Sequence, residues 1–116
     1  MKNVLIVDSN KNNILTQTLN QNGFNAITVT DPDYIYSVII SFKPEVIVID
    51  TDHGNVRGYD ICRGLKNHWA TKKIPIVLIS DNPDKLEDFK ECNADSFISK
   101  SATAEELLVI IKSHKI

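Results

Sequence analysis

The sequence is short of the features that would place it outside the ordinary globular class. It has only two cysteines, Cys62 and Cys92; neither their number nor their spacing suits a disulfide framework or a four-ligand zinc site, so reduced thiols are expected. Four glycines and four prolines in 116 residues are too few for a collagen-like or Pro/Gly-rich chain, and no repeat, linker or block of like charge offers a place to divide it. A single domain over residues 1–116 is the expectation. Unbroken apolar runs such as 4–7 and 46–49 are four residues long and none exceeds five, far below the roughly 20 needed to span a bilayer and below a signal-peptide core. A cytoplasmic domain without membrane association is therefore expected. Excess charge is also lacking. Thirteen Lys and Arg against fifteen Asp and Glu give a formal net charge of −2, without the basic surplus that holds nucleic acid, so no direct nucleic-acid binding is expected.

What the sequence does have is a regular alternation. Hydrophobic residues make up 42% and charged residues 24%, enough apolar surface to fold. Short β-branched runs, Val4-Leu5-Ile6-Val7, Ala26-Ile27-Thr28-Val29, Val46-Ile47-Val48-Ile49, Ile76-Val77-Leu78-Ile79 and Ser96-Phe97-Ile98, are separated by longer segments of helical spacing. Three of the runs are apolar throughout, as parallel strands are when helices cover both faces. The pattern predicts five β/α units in an α/β doubly wound parallel sheet.

Punctuation between the runs supports this reading. Gly23 after Asn22 is a helix stop. Asp31-Pro32 and Asn82-Pro83 each set a capping side chain before a proline, which is tolerated at a first helical position. Thr103 and Glu106 form a capping box for the last helix, whose Leu107, Leu108 and Ile111 make a core stripe; Ile35, Val38, Ile39 and Phe42 make one for the second helix. Trp69, after Asn67-His68, is expected to pack over the end of the third helix or to mark an exposed contact point.

In a doubly wound sheet ligands bind beyond the carboxyl ends of the strands. Four runs end in polar residues: Asp8-Ser9-Asn10, Asp50-Thr51-Asp52, Ser80-Asp81-Asn82 and Ser99-Lys100-Ser101. Taken singly, each is an ordinary cap, turn or surface residue. Taken together, carboxylates on two strand ends repel unless a cation lies between them, and hard oxygen ligands of this kind suit Mg²⁺.

Three segments in this order resemble the receiver domain of two-component response regulators. They are Ile6-Val7-Asp8, then Pro44-Glu45-Val46-Ile47-Val48-Ile49-Asp50 followed by Gly58-Tyr59, and Asn93-Ala94-Asp95-Ser96-Phe97-Ile98-Ser99-Lys100. The approach Thr71-Lys72-Lys73-Ile74-Pro75-Ile76-Val77-Leu78-Ile79-Ser80 is similar to that family's path to its hydroxyl residue. The resemblance implies a flavodoxin-like (βα)5 fold of strand order 2-1-3-4-5. It makes Asp50 the phosphoacceptor, receiving a phosphoryl group from a phosphohistidine of a partner histidine kinase or phosphotransfer protein, or from a small acyl phosphate. It further implies Mg²⁺ held by Asp8, by Asp50 and by the backbone carbonyl of Asp52. Lys100 and the Ser80 hydroxyl would meet phosphoryl oxygens, and Phe97 would be the aromatic that changes rotamer in the switched state. The domain would be a signalling module rather than an enzyme.

Several positions depart from the family pattern. Ser9 stands where a second acidic residue normally ligates the metal, so weakened or rearranged Mg²⁺ binding is expected. Asp81 follows the hydroxyl position, where a small residue is usual, and a carboxylate there repels a phosphoryl anion. Ser101 replaces the usual proline after the lysine, while Gly54 and Arg57 alter the loop after Asp50. These changes support an alternative, a pseudo-receiver that acts as a phosphorylation-independent interaction module. A flavin or cobalamin domain on the same scaffold is disfavoured, because neither a phosphate loop after the first strand nor an Asp-x-His-x-x-Gly signature is present. His53, in the loop after Asp50, is read as a solvated residue.

Partners follow from the resemblance. A kinase would dock near Lys11, Asn12, Asn13, Ile14 and Leu15. The face built from residues 83–115 would serve a homodimer or a downstream effector protein. The last helix ends close to Ile116, so any output is expected through another protein or a missing output domain.

Overall fold

β-branched residues crowd a helix and suit a pleated strand, and each of the five apolar runs forms one. The computed structural model describes residues 2–8, 14–50, 57–80, 92–99 and 104–113. Its elements are β1 (Asn3–Val7), α1 (Ile14–Gln21), β2 (Asn25–Val29), a 3₁₀ turn (Pro32–Tyr34), α2 (Ile35–Phe42), β3 (Val46–Asp50), α3 (Arg57–Asn67), β4 (Ile76–Ser80), β5 (Ser96–Ser99) and α4 (Ala104–Ser113). Residues 81–91, including Asn82-Pro83, lie outside the described residues, as does Thr103 of the expected capping box.

All four strand pairings are parallel, in the order β2-β1-β3-β4-β5. The expected doubly wound sheet of order 2-1-3-4-5 is therefore present. Alternation along each strand divides the core in two. Val4, Ile6, Val46, Val48, Val77 and Ile79 pack with Leu19 of α1 and with Leu107, Leu108 and Ile111 of α4. Leu5, Val7, Ile47, Ile49, Ile76 and Leu78 pack on the other face with Ile35 and Ile39 of α2 and with Cys62 and Leu65 of α3. The stripe residues Val38 and Phe42 are half-buried against that second layer. Burial on both faces explains why these strands read as continuous apolar runs.

Polar groups close the ends and edges. Gly23 takes φ 89° after α1, a conformation open to glycine without steric cost. Lys43 stops α2 in the left-handed region, its N–H donating to the Ile39 carbonyl at 2.9 Å. Asn3 Nδ2 donates to the Phe42 carbonyl at 2.9 Å, and Lys2 Nζ donates to the Ile111 carbonyl at 3.1 Å near the end of α4. On the edge strand β2, Asn20 takes both backbone groups of Ala26 (2.8 and 3.2 Å), as a sheet edge requires.

One helix start differs from the sequence expectation. Asp31-Pro32 opens a 3₁₀ turn rather than α2 itself. Asp31 Oδ1 accepts the Asp33 N–H (3.0 Å), and its carbonyl accepts the Tyr34 N–H (3.1 Å). These i→i+2 and i→i+3 bonds tighten the first turn, and α-helical geometry begins only at Ile35.

Candidate functional site

The site is set by strand register. β1 and β3 pair Val7 with Ile49, so Asp8 and Asp50, each one residue further on, occupy corresponding places on adjacent strands. Neighbouring strands lie about 5 Å apart. Alternation puts both residues on the face of Val4, Ile6, Val46 and Val48, the side covered by α1 and α4. Asp8 is 9% exposed, and its N–H donates to the Val29 carbonyl at 3.1 Å, which carries the β1–β2 ladder one residue past the strand. Asp50 is half-buried at the end of the central strand.

The same arithmetic places the rest of the rim. Asp50 pairs with Ile79, so Ser80 comes one residue beyond it on β4. Ser80 pairs with Ser99, after which the chain reaches Lys100. Phe97 is half-buried on the opposite face of the sheet, packed in the layer of α2 and α3, with Leu78 as its strand partner. The structure thus brings Asp8, Asp50 and the Ser80 backbone to one carboxyl-terminal rim, with Phe97 two residues inside it. Ser9, Asp52, His53, Gly54, Asp81, Lys100 and Ser101 lie outside the described residues, and so do Lys11, Asn12 and Asn13. Asp31 is a further carboxylate at a strand end, but it caps its own turn and follows the edge strand β2.

Two carboxylates side by side favour a cation. Among the described residues no group of three His, Cys, Asp or Glu assembles a metal site by itself. Mg²⁺ does not need one, since it binds through one or two carboxylates with waters and phosphate oxygens completing the shell. Asp8 and Asp50 fit that requirement.

Away from the rim, Cys62 and Cys92 are buried thiols outside any disulfide, with Cys62 Sγ 3.5 Å from the Cys92 carbonyl oxygen. Burial, reinforced by the neighbouring Cys92, pushes the Cys62 thiol well above its usual range. Trp69 does not pack over α3. It is 82% exposed, beyond the helix end, with its ring stacked on His68. No helix among the described residues is long and apolar enough to cross a membrane.

Comparison with known proteins agrees with this geometry. The chain is 28% identical to protein PilG of Pseudomonas aeruginosa over 115 residues, covering 96% of this chain and 85% of that one. It is 26% identical to the phosphate regulon transcriptional regulatory protein PhoB of the same organism, covering 97% of this chain and 51% of PhoB. It likewise spans about half the length of the MtrA response regulators it matches. Among solved structures, the chemotaxis protein CheY4 of Vibrio cholerae superposes with a TM-score of 0.86 at 21% identity, covering 99% of both chains. The signal receiver domain of a histidine kinase from Syntrophus aciditrophicus gives 0.85 at 25% identity, covering 97% of this chain and 89% of that one. The sequence pattern of the response regulator receiver domain matches residues 4–112. Strand order, paired carboxylates at the rim and a match over nearly the whole chain lead to one conclusion: this protein belongs to the response regulator receiver domain family of two-component signalling.

Proposed function

We propose that this receiver domain accepts a phosphoryl group on Asp50 and that the resulting charge switches a protein-interaction surface. The observation that carries the reading is the register that sets Asp8 beside Asp50, with Ser80 one residue past the strand partner of Asp50. In the reaction, an Asp50 carboxylate oxygen attacks the phosphorus of a phosphohistidine on a partner histidine kinase or phosphotransfer protein. The O–P bond forms as the P–N bond breaks, and the imidazole leaves. Such transfer asks a protein chiefly to position groups and to neutralise oxygen charge.

Asp50, at the end of a fully packed central strand, presents the nucleophile on a rigid support. Asp8, Asp50 and the Asp52 carbonyl would hold Mg²⁺, with Ser9 contributing at most a hydroxyl. The ion supplies charge neutralisation on the transferring oxygens. Lys100 would pair with one phosphoryl oxygen and the Ser80 hydroxyl would donate to another, drawing Phe97 with it. Phosphorylation adds about −1.5 to −2 charge at neutral pH, enough to bias a two-state surface over residues 83–115, where an effector, an output domain or a second copy would bind.

Ser9 and Asp81 favour a second reading, the pseudo-receiver that contacts partners without phosphorylation. Beryllofluoride, which mimics a phosphoryl group on a carboxylate, separates the two. With Mg²⁺ present, the amide NMR signals of Asp8, Asp50 and Ser80 are expected to shift, and Asp50→Asn is expected to abolish the response. An unchanged spectrum at saturating beryllofluoride and Mg²⁺ supports the pseudo-receiver.

A further inference from the structure

At the pole opposite Asp50, an open groove of about 440 Å³ runs between α2 and the α3–β4 connection. Its walls include Tyr36 and Ile40 of α2, Lys43 and Pro44 where α2 ends, and His68 and Ile74 of the connection. Pro44 and Ile74 stand just before β3 and β4, which fixes the groove at the amino ends of the strands. The surface is unusually apolar for solvent: Ile40 is 74% exposed, Tyr36 46% and Trp69 82%. An exposed apolar patch of this kind marks an interaction site more often than scattered single residues do.

The groove is also preformed. Tyr36 meets His68 with ring centroids 5.8 Å apart, and His68 stacks on Trp69 at the same separation. His68 Nδ1 accepts the Ala70 N–H at 3.0 Å, which holds the ring in place. Thr71 Oγ1 donates to the Leu65 carbonyl (2.6 Å), and Lys66 Nζ donates to the Ile74 carbonyl (2.9 Å). A partner entering here would not have to order the wall, a cost that otherwise subtracts from affinity.

Charge identifies the occupant. Lys43 lines the groove, Lys72 and Lys73 stand on the connection that forms its other wall, and the two segments 34–44 and 67–75 contain no Asp or Glu, Glu45 following Pro44 being the nearest carboxylate in sequence, in a chain whose net charge is −2. All three lysines are exposed, and among the described residues no carboxylate forms an ion pair with them. A second copy docked face to face would set these lysines against themselves, which disfavours self-association. Ile39, Ile40, Pro44, Ala70 and Ile74 line the groove beside the rings of Tyr36 and His68, a concave apolar wall that suits peptide side chains, while a single strand stacked on the rings is separated by the oligo-dT arm of the test. We propose that this groove docks an acidic amphipathic segment of a partner protein, about two of its large apolar side chains filling the cleft while its carboxylates meet Lys43, Lys72 and Lys73. The site lies at the opposite end of the strands from Asp50, so it would anchor a partner independently of phosphorylation.

The test is selection of a displayed library of random 16-residue peptides on the full chain, followed by titration of the synthetic consensus peptide. The expected consensus pairs large apolar residues with Asp or Glu. Its binding is expected to change Trp69 fluorescence and to weaken at least about tenfold in Ile40→Glu and in the double variant Lys43→Glu, Lys72→Glu. It should also weaken between about 50 and 500 mM NaCl. Ile40 points outward, so Ile40→Glu should keep its circular dichroism spectrum and accept the phosphoryl group as the parent chain does; that arm separates failure of the groove from failure of the Asp50 reading. A consensus without acidic excess, or binding indifferent to Ile40→Glu, overturns the proposal. So does tighter binding of oligo-dT than of the peptide, or sedimentation showing a dimer that Ile40→Glu dissociates.

Discussion

Lys66, near the end of α3, is ion-paired with Asp95 at the entrance to β5, and its side chain is only 9% exposed. Lys66 Nζ also donates to the carbonyls of Ile74 (2.9 Å) and Lys72 (3.2 Å), while the same Asp95 oxygen accepts the Ile76 N–H at 2.8 Å. One charged pair therefore ties a helix end, a connecting loop and the starts of two adjacent strands. It lies at the amino ends of β4 and β5, away from the rim of Asp8 and Asp50.

Asp95→Ala leaves the Lys66 ammonium with only carbonyl partners and the Ile76 N–H without its carboxylate. The expected loss is about 2 kcal/mol, below the figure for a fully buried pair because the Asp95 side chain is 37% exposed and partly screened by solvent. Urea denaturation measures it. Phosphoryl acceptance in native buffer should be unchanged, and a variant of parental stability would show that the pair contributes nothing to the fold.

That pair was not legible in the sequence, and the reason is physical. A lysine in the last turn of a helix reads as a solvated cation favoured by the helix dipole, and nothing local says that a carboxylate distant in the chain will cover it. The strands were legible because burial on both faces makes each an uninterrupted apolar run; the boundaries at 4–7, 46–49 and 76–79 agree with the observed strands to within one residue. Register then carried Asp8, Asp50 and Ser80 to a common rim. The groove by Trp69 was only half legible: an exposed contact point was one of two readings, but its lysines and α2 wall come from segments that only the fold brings together. The 3₁₀ turn at Pro32 was missed because the Asp31 side chain serves equally as a helix cap and as a tight-turn acceptor.

Metal binding gives a second test. Ser9→Asp restores a carboxylate beside Asp8 and is expected to tighten Mg²⁺ binding at least about tenfold by calorimetry. Equal affinities would mean that a different carboxylate already completes the site.

The thiols give a third. Cys62 and Cys92 are fully buried, and the Cys62 thiol is held above its ordinary value of 9.0 chiefly by burial. Native protein at about pH 8 should resist iodoacetamide, while urea-unfolded protein reacts at both sites. A raised thiol pKa means that the unfolded chain loses its proton first. The corresponding stability is intact below the ordinary thiol value and is lost as pH rises past it toward the native value. Urea midpoints should therefore fall above about pH 9, and less steeply in Cys62→Ala. Rapid alkylation of the native chain would contradict the buried pair.

The central claim is that Asp50 is a working phosphoacceptor despite Ser9, and the most direct measurement is intact mass after incubation with acetyl phosphate and Mg²⁺. A species heavier by one phosphoryl group is expected, absent with EDTA and absent in Asp50→Asn. No such species at any Mg²⁺ concentration, or the same species in Asp50→Asn, would contradict it.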